Sequence, residues 1–368
     1  MSEIKFGNQL FFSHSYDFLR KKVTTANKEN WDSIWFPDHL TGMPGVLIDD
    51  FLSLWPVFGS FAELAKGKLF GSAVTDPHRI HPAVLAQIAT TINHISGGKF
   101  ILGIGAGEAM NLRTYNINYD HALTKMRETI ELIKLFWRKG KRVTYKGKFY
   151  ETKKALLLPQ PISEIPIWVA ANGPKTLQMT AEIADGWLPT GITIDFYKSA
   201  REKIVNVLNE KGRDISKFTF GAFYFLFMND DEEQINEVVK RLKYSLLLQP
   251  RAIKEIGFWK DEFDDIFFEA TGFGCEEVSP LKVDRDDLLK FDLKKLEPIL
   301  DNIPDKVIRE NGIIGTKEEI IKKIKNYIET GAQHFVFTID NGASSKNAPF
   351  TYWDVCKIIS EEIIPLFK

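Results

Sequence analysis

"LGIGAGEAMNLRTY" (Leu102–Tyr115) sets three glycines ahead of a lone carboxylate, Glu108, and an asparagine, Asn111. The reading of this stretch decides the fold. Taken as GxGxxA it offers a dinucleotide-binding turn, but that fingerprint belongs to the first strand–helix unit of an open sheet. Here the glycines close "KFILGIGAG" (Lys99–Gly107), the fourth apolar strand-like segment of the chain. A glycine-rich loop after a fourth strand lets backbone approach a ligand at the mouth of a parallel barrel. In that setting Glu108 projects into the mouth as a proton donor or acceptor, and Asn111 offers an amide. On residue type alone, a surface glutamate beside a flexible turn stands as the alternative.

Working outward, strand-like runs at Ile4–Phe12, Asp32–Phe36 and Lys68–Val74 precede this segment. Runs at Ile165–Ala171, Gly186–Pro189, Phe218–Phe227 and His334–Ile339 follow it. Helix-period segments lie between most of them: the stretch up to Lys28, then Pro82–Ile95, His121–Arg138, Pro174–Ala184 and Phe196–Lys211, with Tyr352–Leu366 closing the chain. Eight strands with mostly helical returns predict an α/β fold, a (β/α)8 TIM barrel. "RVTYKGKFYE" (Arg142–Glu151) alternates about a Lys-Gly turn and reads as a surface hairpin. The interval 230–316 is too long for one return. It is expected to be a helical subdomain inserted after strand 7, within a single domain spanning 1–368.

Bulk composition excludes several functions. The net charge is -1 with both signs interspersed, so electrostatic capture of nucleic acid or of an anionic membrane is not expected. No apolar run approaches the ~18–20 residues that span a bilayer. The start, "MSEIKFGNQLFF", lacks the charged and small-residue features of a signal peptide, which points to a cytoplasmic protein. Cys275 and Cys356 form no CxxC pair, and no disulfide framework is expected.

Several polar residues fall just after strands, and a barrel would gather them at one mouth: Asp38, His39, Asp76, Glu108 and Asn172. Asp38 is either a turn cap or a site residue. His39 is either a polar loop residue or a general acid/base, because imidazole titrates near neutrality. In "GSAVTDPHRIHPAVLAQ" (Gly71–Gln87), His78 and His81 stand three apart, but no carboxylate–histidine cluster completes a set, and no metal is expected. The small residues Gly71-Ser72-Ala73 would let a flat ring lie directly on the backbone. Gly173 followed by Pro174 opens a helix whose free N–H groups suit a phosphate. "ENGIIGTKEEIIKKI" contains a Thr316-x-x-Glu319 capping box, for which the structural reading suffices.

Taken together, "WFPDHL", "GSAVTDPHRIHPAVLAQ", "GIGAGEAMNLRTY" with "RETIELIKLFW", and "IPIWVAANGPKTLQMTAEIADGW" resemble the luciferase-like flavin and deazaflavin oxidoreductase superfamily over essentially the whole chain. "GAGEAMN" is most similar to the branch that uses coenzyme F420, which includes sugar-phosphate and secondary-alcohol dehydrogenases, phthiodiolone ketoreductases and methylene-tetrahydromethanopterin reductases. The resemblance implies a deazaflavin across the barrel mouth, backed by a third-strand bulge with a cis peptide, here Ala73-Val74. It maps the family's aspartate–histidine pair onto Asp38 and His39. Its Gly-Glu-x-x-Asn run falls on Gly107, Glu108 and Asn111, and its phosphate-contacting loop on Ala171, Asn172 and Gly173. It further implies hydride transfer at ring carbon C5, with His39 handling the substrate hydroxyl proton and Glu108 the ring proton, the two groups serving opposite parts of the carrier. A homodimer acting on a small-molecule substrate is also implied. An FMN-dependent monooxygenase of the same superfamily and a non-catalytic cofactor-binding barrel are the alternatives. Met43 stands where the sugar-phosphate and alcohol dehydrogenases carry tryptophan, and "TGMPGVLIDD" replaces their "QPW"-like stretch. That points away from glucose 6-phosphate and simple alcohols, toward ketoreductase-like or reductase-like substrates.

Overall fold

Short strands buried on both faces need helices on one side and a filled interior on the other, and this chain supplies both. The computed structural model describes residues 3–11, 15–42, 51–65, 67–247, 250–255, 257–278, 283, 285–340 and 350–368. Phe12, Met43 and most of the "TGMPGVLIDD" loop therefore lie outside the described residues, as do the last two residues of "GFGCEEVSP". Among the described residues, eight parallel strands close a barrel. They are β1 (Lys5–Gln9), β2 (Ser33–Phe36), β3 (Leu69–Ser72), β4 (Phe100–Ile104), β5 (Ile167–Val169), β6 (Gly186–Trp187), β7 (Thr219–Met228) and β8 (His334–Ile339). Registers such as Trp35 beside Gly71 and Gly103 beside Trp168 run round the wall, and Lys5 beside His334 closes it. The barrel shell carries α1 (Tyr16–Lys28), α2 (Leu54–Phe61), α3 (Pro82–Ile95), α4 (Ala122–Phe136), α5 (Pro174–Ile183) and α6 (Ile194–Glu210).

Strand alternation turns Trp35, Ile101, Trp168, Leu188 and Val336 into the barrel. The indoles of Trp35 and Trp168 lie 5.4 Å apart, both edge-on to His334. A Cβ at Gly71 would stand 2.1 Å from the Trp35 ring, so only glycine admits that indole. Ser33 Oγ accepts from Trp35 Nε1 at 2.7 Å and bonds His334 Nε2 at 2.7 Å. Burial lowers the His334 pKa to about 3, which leaves the imidazole neutral at physiological pH. The interior is thus a packed floor, and any ligand has to sit above it.

Between β7 and β8 the chain forms α7 (Glu232–Leu246), α8 (Pro250–Glu255), α9 (Glu262–Thr271), α10 (Arg285–Leu288), α11 (Glu297–Asn302) and α12 (Asp305–Asn311), then returns through α13 (Lys317–Glu329). Phe263, Phe267, Leu296 and Ile299 build a local core there, while Phe227, Ile235, Ile308 and Ile314 pack it to the end of β7. The interval is not purely helical. Ile313–Gly315 pairs in parallel with Leu226–Met228, extending the sheet beyond the barrel proper. Thr316 and Glu319 form the expected capping box at the start of α13.

The hairpin is longer than its alternation indicated, with strands at Val143–Lys146 and Glu151–Ala155. Glu128 of α4 accepts from the N–H groups of Lys148, Phe149 and Tyr150 and so fixes its turn. The closing helix is shorter. After α14 (Tyr352–Ile358) the chain passes through a π turn, Ile359–Ile363, into a 3-10 turn, Ile364–Phe367. Pro365 removes a backbone donor and crowds the preceding turn, which is why the α-helix does not continue. No helix among the described residues is long and apolar enough to cross a membrane.

Candidate active site

The loop after β4 is shaped by Gly107, whose φ of +84 lies in the left-handed region. A Cβ there would also stand 2.9 Å from Leu112 Cδ1. Glu108 follows in extended conformation and opens a short 3-10 turn, Ala109–Asn111, without its side chain being spent on the cap. Asn111 is buried, and all four of its hydrogen-bonding positions are used. Its Oδ1 accepts from Leu40 N at 2.7 Å and Thr41 N at 3.1 Å. Its Nδ2 reaches His39 Nδ1 at 2.8 Å and Glu108 Oε2 at 3.0 Å. His39 Nδ1 and Glu108 Oε2 are themselves 3.4 Å apart, with side-chain exposures of 20% and 37%. The expectation that the imidazole and the carboxyl group serve opposite ends of a carrier is therefore revised. The two groups meet, and one amide holds both.

Because Asn111 Oδ1 takes two backbone donors, its Nδ2 is a donor and His39 Nδ1 must accept. A neutral His39 then carries its proton on Nε2. The Phe51 ring lies 5.1 Å from the imidazole and borders it on one side.

Beneath His39, Arg79 ties two carboxylates together. It donates to Asp38 Oδ1 at 3.1 Å, to the Asp38 carbonyl at 2.8 Å, and through Nε to Asp76. Thr75 Oγ1 donates to Asp38 Oδ2 at 2.6 Å. Burial pushes the Asp38 carboxyl up, opposed by the Arg79 guanidinium and the Thr75 hydroxyl. Asp38 thus spends its carboxylate inward, with only 7% of the side chain exposed. The sequence reading counts Asp38 among the cofactor-binding residues; in the structure its carboxylate is engaged by Arg79 and Thr75.

Across the mouth, Gln9 Nε2 donates to the Ala73 carbonyl at 2.7 Å, and Thr338 Oγ1 donates to Gln9 Oε1. This chain of bonds joins β8, β1 and the segment after β3, where the Ala73-Val74 peptide is cis. Val74 stands against Gly105, where a Cβ would lie 2.8 Å from Val74 Cγ2. On the β5–β6 side, the Ala171 carbonyl accepts from Trp187 Nε1 at 2.6 Å. Asn172 and Gly173 are exposed, Asn172 Nδ2 donates to the Thr190 carbonyl, and Gly173 opens α5 without a side-chain cap. Among the described residues Asn172 makes no hydrogen bond to the His39 cluster. His78 is engaged with the Ala106 carbonyl and His81 caps α3. Among the described residues no group of three or more His, Cys, Asp or Glu gathers as a metal site.

The model of the Luciferase-like monooxygenase family matches residues 7–334. The chain belongs to this family. It is 26% identical over 365 residues to the 5,10-methylenetetrahydromethanopterin reductase of Archaeoglobus fulgidus, covering 99% of this chain and 100% of that one. Over 357 residues it is 24% identical to the F420-dependent glucose-6-phosphate dehydrogenase of Microbacterium testaceum, covering 93% and 91%. Its fold is similar to that of an F420-dependent secondary alcohol dehydrogenase solved with an F420-acetone adduct, with a TM-score of 0.76 and 20% identity over 100% of this chain and 99% of that one.

Within this luciferase-like barrel, sequence reasoning missed Arg79, Gln9 and Thr338. Arg79 sits three residues after Asp76 in a run read for its small residues, its aspartate and its histidines but not for its arginine. Gln9 is a polar residue at an inward position of a buried strand, which is the pattern that marks a satisfied interior contact.

Proposed function

We propose that this luciferase-like protein is an oxidoreductase that uses coenzyme F420 and acts on a small organic substrate of the alcohol/ketone or methylene-pterin type. The observation that carries the reading is the hydrogen-bonded triad of His39, Asn111 and Glu108 at the carboxyl ends of β2 and β4. Alignment over nearly the whole chain with a methylenetetrahydromethanopterin reductase and an F420-dependent dehydrogenase supports it.

The mouth fits a flat cofactor with a phosphate-bearing tail. Half-buried Val74 faces Gly105, with no Cβ between them, and the uncapped start of α5 offers backbone N–H groups to an anion. Ala73, Val74, Gly107 and Glu108 would hold the ring, and Ala171, Asn172 and Gly173 the tail. Bound there, the deazaflavin supplies a two-electron carrier that exchanges hydride at ring carbon C5.

The chain's own groups then manage the proton. Neutral His39 presents its Nε2–H to the mouth and hydrogen-bonds a substrate oxygen. When the ring is protonated, the new Nδ1–H finds an acceptor in Glu108 Oε2, and the Nε2 proton becomes transferable to that oxygen. Asn111 Nδ2 and Glu108 Oε2 both reach the same ring nitrogen, one as a donor to it and the other as an acceptor from it. The same family resemblance carries a homodimer, which light scattering on purified protein tests.

Titration of the purified chain with F420 and, separately, with FMN tests the cofactor. Saturable F420 binding with weak or no FMN binding is expected. Tight, co-purifying yellow FMN would transfer the site to the monooxygenase reading.

A further inference from the structure

A half-open groove of about 440 Å³ runs along the flank of the barrel between α6 and α13, lined by Lys198, Arg201, Glu202, Asn326 and Glu329 among others. The Arg201 guanidinium is held in place there. It lies 4.7 Å from the centroid of the Phe220 ring. The backbone of Gly331 also lies against it, and a Cβ added there would stand 2.4 Å from Arg201 Nε. Gly331 has a φ of +98, which favours glycine there and leaves the space that Arg201 occupies. Arg201 Nε is buried without a hydrogen-bond partner, and among the described residues neither Glu202 nor Glu329 pairs with this cation although both line the groove.

An arginine packed on an aromatic ring, whose terminal nitrogens hold no hydrogen bond among the described residues, is prepared to take an oxyanion on those N–H groups. Lys198 adds a second positive charge nearby. The two glutamates oppose a ligand that is negative throughout, but they supply acceptors for a cationic end. We propose that this groove binds a small zwitterion of the amino-acid class, its carboxylate on Arg201 and Lys198 and its ammonium on Glu202 and Glu329.

Phe220 is the second residue of β7, at the amino end of that strand, whereas His39 and Glu108 follow the carboxyl ends of β2 and β4. The groove lies on the outer flank between α6 and α13 and shares no lining residue with the His39, Asn111 and Glu108 cluster, and its ligand does not depend on the cofactor reading. The test is ligand-observed NMR on the full chain with each proteinogenic amino acid, and separately with acetate, methylammonium and inorganic phosphate. Saturable binding of at least one amino acid is expected, with acetate and methylammonium each weaker by on the order of tenfold or more. Arg201→Gln should weaken that binding by a similar factor. So should Glu329→Gln, at an exposed position where the fold is not at risk. F420 binding should be the same in both variants. Failure of every amino acid to bind, phosphate binding as well as or better than any of them, or binding that survives both substitutions overturns the proposal.

Discussion

On the β2–β4 side of the mouth, Arg79 ties two buried carboxylates and Asn111 satisfies every one of its polar positions. On the β5–β6 side, Asn172 is exposed with one bond to the Thr190 carbonyl, and α5 begins without a side-chain cap. The first side is bonded within itself; the second leaves the first N–H groups of α5 without a side-chain cap. Reacting groups gain most from being held in advance, because a proton donor displaced by an ångström loses much of its effect. A tail-binding loop needs only to close around what it holds.

The sharpest way to break this contrast is Arg79→Met. It leaves Asp38 and Asp76 buried without their cation, which should cost about 3–5 kcal/mol of stability, read by urea unfolding. A loss under about 1 kcal/mol would mean that the carboxylates find water and that the wiring is not structural.

Below the mouth, the packed floor makes a pH prediction of its own. His334 has a folded pKa lowered to about 3 from 6.5. In the window between those values the unfolded chain binds a proton that the folded chain does not, so this group makes stability fall as pH drops from about 6.5 toward about 3. The slope should approach about 1.4 kcal/mol per pH unit. Acid unfolding of His334→Gln should be less steep by that amount, and an unchanged slope would show that the imidazole titrates in the folded protein.

The smallest effect should come from Asn172→Ala. Its stability should stay within about 0.5 kcal/mol of the parent, as for other exposed positions, while cofactor affinity falls measurably. Equal losses of stability at Asn172 and Arg79 would erase the distinction between the two sides.

Much of the barrel was legible because its strands are short, apolar and separated by helix-period runs, as at Phe100–Ile104 and Pro82–Ile95. Glycine spacing and strand-end position also singled out Glu108, Asn111 and His39. What stayed hidden depends on contacts distant in sequence. α2 is short and its buried stripe of Leu54, Val57, Phe58 and Phe61 is flanked by the equally apolar Trp55 and Pro56, so no polar face sets the stripe off in the sequence. Ile313–Gly315 is three residues long and becomes a strand only because β7 runs past the barrel. Gln9 gains its role from Ala73, 64 residues away, and Asp38 turns inward because Arg79 folds back onto it. Residue type named the candidates, and register decided which of them meet one another.

The most direct measurement compares the parent chain with His39→Ala at saturating F420, following deazaflavin absorbance during turnover. Cofactor affinity should be preserved, and turnover should drop by about 10²–10⁴-fold, the usual contribution of a positioned proton donor. Undiminished turnover in the variant would contradict the assignment of the proton to His39 and, with it, the role given to the Asn111–Glu108 pair.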